Sequence, residues 1–98
     1  RNRYLSADER DIAPALQRVL NETASMLKAG VSVGKALEEG KVALTRAGFS
    51  QVEYLELRTE NTLQPLASLE MPSRLLAAAQ LGTTRLIDNV TLGDVHAV

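Results

Sequence analysis

Arg74-Leu75-Leu76-Ala77-Ala78-Ala79-Gln80-Leu81-Gly82-Thr83-Thr84-Arg85-Leu86-Ile87-Asp88-Asn89-Val90 is the stretch on which the fold turns. Three consecutive alanines favour helix over Arg74 to Leu81, yet Leu75, Ala77, Ala79 and Leu81 also alternate as the buried side of a strand does. The residues downstream decide between them. Gly82-Thr83 supplies a two-residue turn, and beyond it Leu86, Asp88 and Val90 alternate with Arg85, Ile87 and Asn89. Two runs joined so tightly predict a β-hairpin, with strands over Arg74–Leu81 and Arg85–Val90.

Working upstream, Gln51 to Thr59 also alternates, with Leu55 and Leu57 on one side and Glu56 and Arg58 on the other, and is read as the first strand. Residues 60 to 72, with Asn61, Pro65 and Pro72, form the longest irregular connection. Before the strands the period lengthens. Ser32 can cap a helix from about 33 to 47, lined on one side by Val33, Ala36, Leu37, Gly40, Ala43, Leu44 and Ala47 and stopped by Gly48. Gly40 costs roughly 1 kcal/mol of helix propensity relative to Ala, so close packing against a neighbour is expected there. A preceding helix carries Ile12, Leu16, Val19, Leu20, Thr23 and Leu27 as its apolar stripe, with Gln17, Arg18, Glu22 and Lys28 solvated and Gly30 as its stop. Ser6-Ala7-Asp8-Glu9 reads as a capping box opening a short helical turn over 7 to 12, which Pro14 breaks from the main helix. Two helices followed by three strands imply an α+β domain of two layers, with two main helices packed on one face of a three-stranded antiparallel sheet. The tail after Leu92 is expected to fray.

The bulk composition narrows the function classes. A chain of 98 residues holds one domain with a single core, and 45% hydrophobic residues with only two Tyr and one Phe make that core aliphatic. The net charge of −1 comes from 11 basic and 12 acidic residues that are interspersed, which indicates no nucleic-acid partner. Cysteine is absent, and His96 is the single histidine, placed in the tail. Thiolate chemistry, disulfides and a histidine metal cluster are thereby excluded. No apolar run approaches the roughly 20 residues that span a bilayer, so no membrane partner is expected and a cytoplasmic location is the default. The sequence opens on Arg1 rather than Met, as a processed, trimmed or excised piece would.

No Ser/His/Asp set, P-loop or Gly-rich dinucleotide motif is present, so an independent enzyme is not expected. The densest polar feature is Arg1-Asn2-Arg3-Tyr4, where two guanidiniums could clamp a phosphate, although on pattern alone a solvated basic terminus is the stronger reading. Asn2 and Arg3 serve equally well as linker. Asp88 and Asn89 fall on opposite faces of their strand and are read as edge or turn hydrogen-bonding groups. Arg74 and Arg85 are expected to pair with Glu53 or Glu56 across the sheet. Glu38, Glu39 and Lys41 read as a solvated helix face.

Arg1-Asn2-Arg3-Tyr4-Leu5-Ser6, Glu9-Arg10, Ala13-Pro14-Ala15-Leu16 and Leu81-Gly82-Thr83-Thr84-Arg85-Leu86-Ile87-Asp88-Asn89 together closely resemble the C-terminal domain of the pantothenate synthetase (pantoate:β-alanine ligase) family. The likeness spans nearly the whole chain. It implies that residues 1–98 are a lid over the nucleotide, and that the Rossmann-like N-terminal domain with its HIGH-type motif is absent from this sequence. The full-length enzyme so implied uses ATP with Mg²⁺ to convert pantoate to pantoyl adenylate, which β-alanine attacks to give pantothenate and AMP. The family's Ser-Ser-Arg element acts like the KMSKS loop of related adenylate-forming enzymes. Only its arginine, Arg1, is present here, so Arg1 is the one residue to which contact with the ATP phosphates is carried over. The resemblance further implies the N-terminal domain as partner, a homodimeric full-length enzyme, and no turnover by this piece alone. The competing expectation is a non-enzymatic module that homodimerises through a strand edge or the Ala/Gly helix face.

Overall fold

The computed structural model describes residues 7–70 and 72–93. The element order is α1 (Ala7–Ile12), α2 (Ala15–Lys28), α3 (Val33–Ala47), β1 (Gln51–Thr59), β2 (Ser73–Leu81) and β3 (Thr84–Leu92). The alanine-rich stretch is a strand. It pairs Leu81 with Thr84 across Gly82-Thr83 and continues antiparallel to Ser73 opposite Leu92. Gly82 has φ +63°, as the first residue of a type II′ hairpin turn does. β2 lies at the centre of the sheet β1-β2-β3. Its alanines fit between two flanking strands, where Ala77, Ala78 and Ala79 are each 1% exposed or less.

The helices form one layer over the sheet. α2 packs over β2 and β3, and α3 over β1. Leu16, Val19, Leu20, Thr23 and Leu27 of α2 are buried as the stripe predicts, and Leu55, Leu57, Leu75, Ala77, Ala79, Leu81 and Leu86 meet that layer from the sheet. This is the two-layer α+β arrangement that the sequence indicates. Gly40 of α3 is where the layers come closest: a Cβ there would lie 2.6 Å from Leu55 Cδ2 and 2.8 Å from Thr23 Oγ1.

Both helix stops act as expected. Gly30 takes φ +100°, with the Val31 N–H donating to the Met26 carbonyl at 3.0 Å; Gly48 takes φ +125°, with the Phe49 N–H donating to the Leu44 carbonyl at 3.2 Å. These six-to-one bonds satisfy carbonyls that the helix end leaves orphaned, and the positive φ is costly for any residue with a Cβ. Ser32 caps α3 by accepting from the Lys35 N–H at 3.4 Å.

Two features of β1 go beyond the sequence pattern. The register slips between Val52 and Tyr54, leaving Glu53 in a bulge. At the other end the chain doubles back: the Thr59 N–H donates to the Gln64 carbonyl at 2.9 Å and the Leu66 N–H to the Leu57 carbonyl at 3.0 Å. The long connection therefore covers the outer edge of β1 over its final residues. Leu63 adopts φ +56° there, and its carbonyl accepts from Arg58 Nη1 at 2.8 Å.

Candidate functional site

Arg1, with Asn2 and Arg3, lies outside the described residues, as do Ser6 of the expected capping box and His96 of the tail. α1 joins that N-terminal segment to the domain. It buries no residue of its own, yet it is fitted against the body at two glycines. Ile12 occupies the space a Cβ on Gly48 would need, at 2.8 Å from its Cδ1, and the Glu9 carboxylate occupies the corresponding space at Gly82. Both glycines have positive φ. Only a residue without a Cβ meets the turn geometry and leaves room for the helix.

Between the α1–α2 break and β3 lies a crevice of about 410 Å³, whose lining includes Arg10, Pro14, Gln17, Leu86, Ile87 and Asp88. With its amide nitrogen turned toward β3, Gln17 donates to Asp88 Oδ1 at 3.2 Å and to Oδ2 at 2.5 Å. The Asn89 N–H also donates to Asp88 Oδ1, at 2.8 Å. Gln17, read from periodicity as merely solvated, thus ties α2 to the sheet. Periodicity misses it because a long amide at the rim of a helix face can stay exposed and still reach across.

Alternation places Asp88 on the helix side and Asn89 on the open side, where Asn89 Oδ1 accepts from Arg74 Nη1. Arg85 pairs with Glu53 as expected, Nε to Oε1 at 2.7 Å, and Gln80 Nε2 donates to the other Glu53 oxygen at 2.7 Å. These bonds, the one from Arg85 foremost, hold the Glu53 carboxyl below its ordinary pKa, and the same pairing raises that of Arg85. Arg74 departs from expectation. Its Nη2 pairs with Glu60 Oε2 at 2.7 Å, and Glu56 pairs instead with Arg58 Nη2 at 2.8 Å. Glu38, Glu39 and Lys41 lie on the solvated side of α3 as predicted, with Lys35 Nζ 3.2 Å from Glu39 Oε2 one turn away.

Among the described residues there is no group of three or more His, Cys, Asp or Glu placed to hold a metal ion, and no helix long and apolar enough to cross a membrane. Glu53 and Glu56 of β1 and Glu60 just beyond it are committed to arginines, and Asp88 to Gln17. These residues tie the polar groups of the sheet to one another and α2 to β3, and α1 follows directly on residues 1–6.

Residues 1–91 match the model of the family described as pantoate-beta-alanine ligase. The chain belongs to that family. It is 52% identical over 93 residues to pantothenate synthetase from Bradyrhizobium sp. (strain BTAi1), a match covering 94% of this chain and 32% of the relative. It is 49% identical over 90 residues to pantothenate synthetase from Cereibacter sphaeroides, covering 92% of this chain and 32% of that protein. The crystal structure of pantothenate synthetase from Thermus thermophilus superposes with a TM-score of 0.81 at 35% identity, over 91% of this chain and 32% of that one. The chain thus spans about a third of the length of the relatives it matches.

Proposed function

We propose that this chain is the C-terminal lid domain of a pantoate:β-alanine ligase, and that it closes over ATP bound by an N-terminal domain of the same protein. The observation that carries this reading is the family match over residues 1–91 by a chain that spans only 32% of its relatives. A folded α+β unit of that extent is domain-sized, and its described side chains hold no constellation for acyl activation. The chemistry is assigned to the remainder of the protein: pantoate attacks the α-phosphorus of ATP, pyrophosphate leaves, and the β-alanine amine displaces AMP from the acyl adenylate. Within this chain the phosphate contact falls to Arg1, on the match of its segment to the family's Ser-Ser-Arg-Asn motif. A guanidinium there would stabilise the charge that builds on the departing pyrophosphate, and lid closure would keep water from the adenylate. Mg²⁺, brought by the family reading with ATP, has no ligand set among the described residues of this domain.

The test is an assay of AMP formation from ATP, pantoate and β-alanine. The full-length protein turns over, whereas the 98-residue chain alone gives no AMP. In the full-length protein Arg1→Ala lowers kcat/KM for ATP by about 100-fold, the scale seen when one transition-state donor is removed. Turnover by the isolated chain, or an Arg1→Ala enzyme as active as wild type, would refute the assignment. Coding sequence upstream of Arg1 should carry two serines directly before it and a HIGH-type motif further back.

A further inference from the structure

The sheet has two faces, and among the described residues the helices cover only one. On the other, the register aligns Tyr54, Ala78 and Ile87 in one row across β1, β2 and β3, with Leu76 two residues along β2. Ile87 is 54% exposed, the most exposed large hydrophobic among the described residues, while Ala78 at the centre of the row is fully buried by its surroundings although no helix lies over it. Polar pairs flank this apolar centre at both ends. Arg85 and Gln80 hold Glu53 on one side; Arg58 with Glu56, and Arg74 with Glu60, stand on the other. Three guanidiniums meet three carboxylates, so the face is neutral without help. That balance is wrong for a phosphate backbone or an anionic membrane, both of which need uncommitted cations. It fits a protein surface, with an apolar centre inside a polar rim.

The other exteriors are poor alternatives. The outward side of the helical layer is polar, with Gln17, Arg18, Asn21 and Glu22 of α2 and Glu38 and Lys41 of α3 on it, and Val42 a lone large apolar residue among them. The outer edge of β1 is covered over its final residues by the chain doubling back at 64–66.

We propose that this face is the surface the domain lays against the rest of its own protein when the lid closes, with Ile87 among the residues it buries. The inference rests on the lid reading given above. The occupant follows from length: the relatives are about three times as long as this chain, and a tethered domain faces the sheet at an effective concentration that a second copy does not match.

Thiol labelling in the full-length protein tests it. Ile87→Cys and Val42→Cys are made separately and their reaction with a maleimide is followed with and without MgATP and pantoate, against the parent protein as background. The expected result is at least a fivefold slowing at position 87 when both substrates are present, and no change at position 42. Ile87→Asp should raise KM for ATP at least fivefold with an unchanged circular dichroism spectrum, whereas Val42→Asp behaves as wild type. Equal labelling rates with and without substrates, or an Ile87→Asp enzyme with wild-type KM, would overturn the proposal. So would slowing that depends on protein concentration and not on substrate, which would assign the face to a second copy. A full-length parent that forms no AMP would instead remove the lid reading itself, and this inference with it.

Discussion

Glu53 shows how much one residue's setting departs from its place in a pattern. A strict strand alternation would point it away from Tyr54 and leave it paired with whichever arginine came opposite. Instead it sits in the bulge of β1 and accepts from Arg85 and Gln80 at once. Both bonds favour the carboxylate, so its pKa in the folded chain lies below the usual glutamate range. The stabilisation is therefore present above the unfolded-state pKa and is lost as pH falls through the lowered folded value. In Arg85→Leu, NMR titration should show Glu53 moving up toward the ordinary range. The stability gap between this variant and wild type should be small, as for exposed pairs generally, and should close at acid pH. A Glu53 titration unchanged by Arg85→Leu would show that the pair is not formed in solution.

At the scale of elements, each helix and strand is legible from periodicity and punctuation. Pro14, Gly30 and Gly48 act where their backbone chemistry requires, and the Gly82-Thr83 turn resolves the alanine run that propensity alone would make a helix. The Glu53 bulge and the return of the chain at 64–66 are hidden because each depends on partners that no local pattern names. The spacing of small residues on α3 does signal close approach, without saying to what. Thr23 and Leu55 are the answer. Gly40→Ala gains about 1 kcal/mol of helix propensity but drives a methyl into two buried neighbours, a clash that typically costs about 1–3 kcal/mol. The clash should win. Urea denaturation is expected to show a net loss of about 1 kcal/mol, and a gain in stability would mean that Leu55 can swing aside.

For the whole molecule, the core joins both layers through residues that include one aromatic. Phe49, immediately after the stop of α3, is 2% exposed and lies in the same cluster as Leu44, Leu55 and Leu81. Its importance is not legible in the sequence, since it falls in a connection where no period applies. Phe49→Ala should cost about 3–5 kcal/mol, a large share of the stability of a domain of this size. A loss below about 1 kcal/mol by thermal or chemical denaturation would place Phe49 outside the core. The candidate site divides in the same way. Motif resemblance points to Arg1 and to the family, whereas the Gln17–Asp88 tie and the seating of α1 against Gly48 and Gly82 emerge only from the folded chain. The turnback at 64–66 has one more effect. A sheet whose two borders were both open could add copies without end, as fibrils do, but here the chain itself covers one border over its final residues. Accidental strand addition along β3 would join two copies, and the shortened free edge of β1 then gives a third copy less backbone to pair with than β3 gave the second.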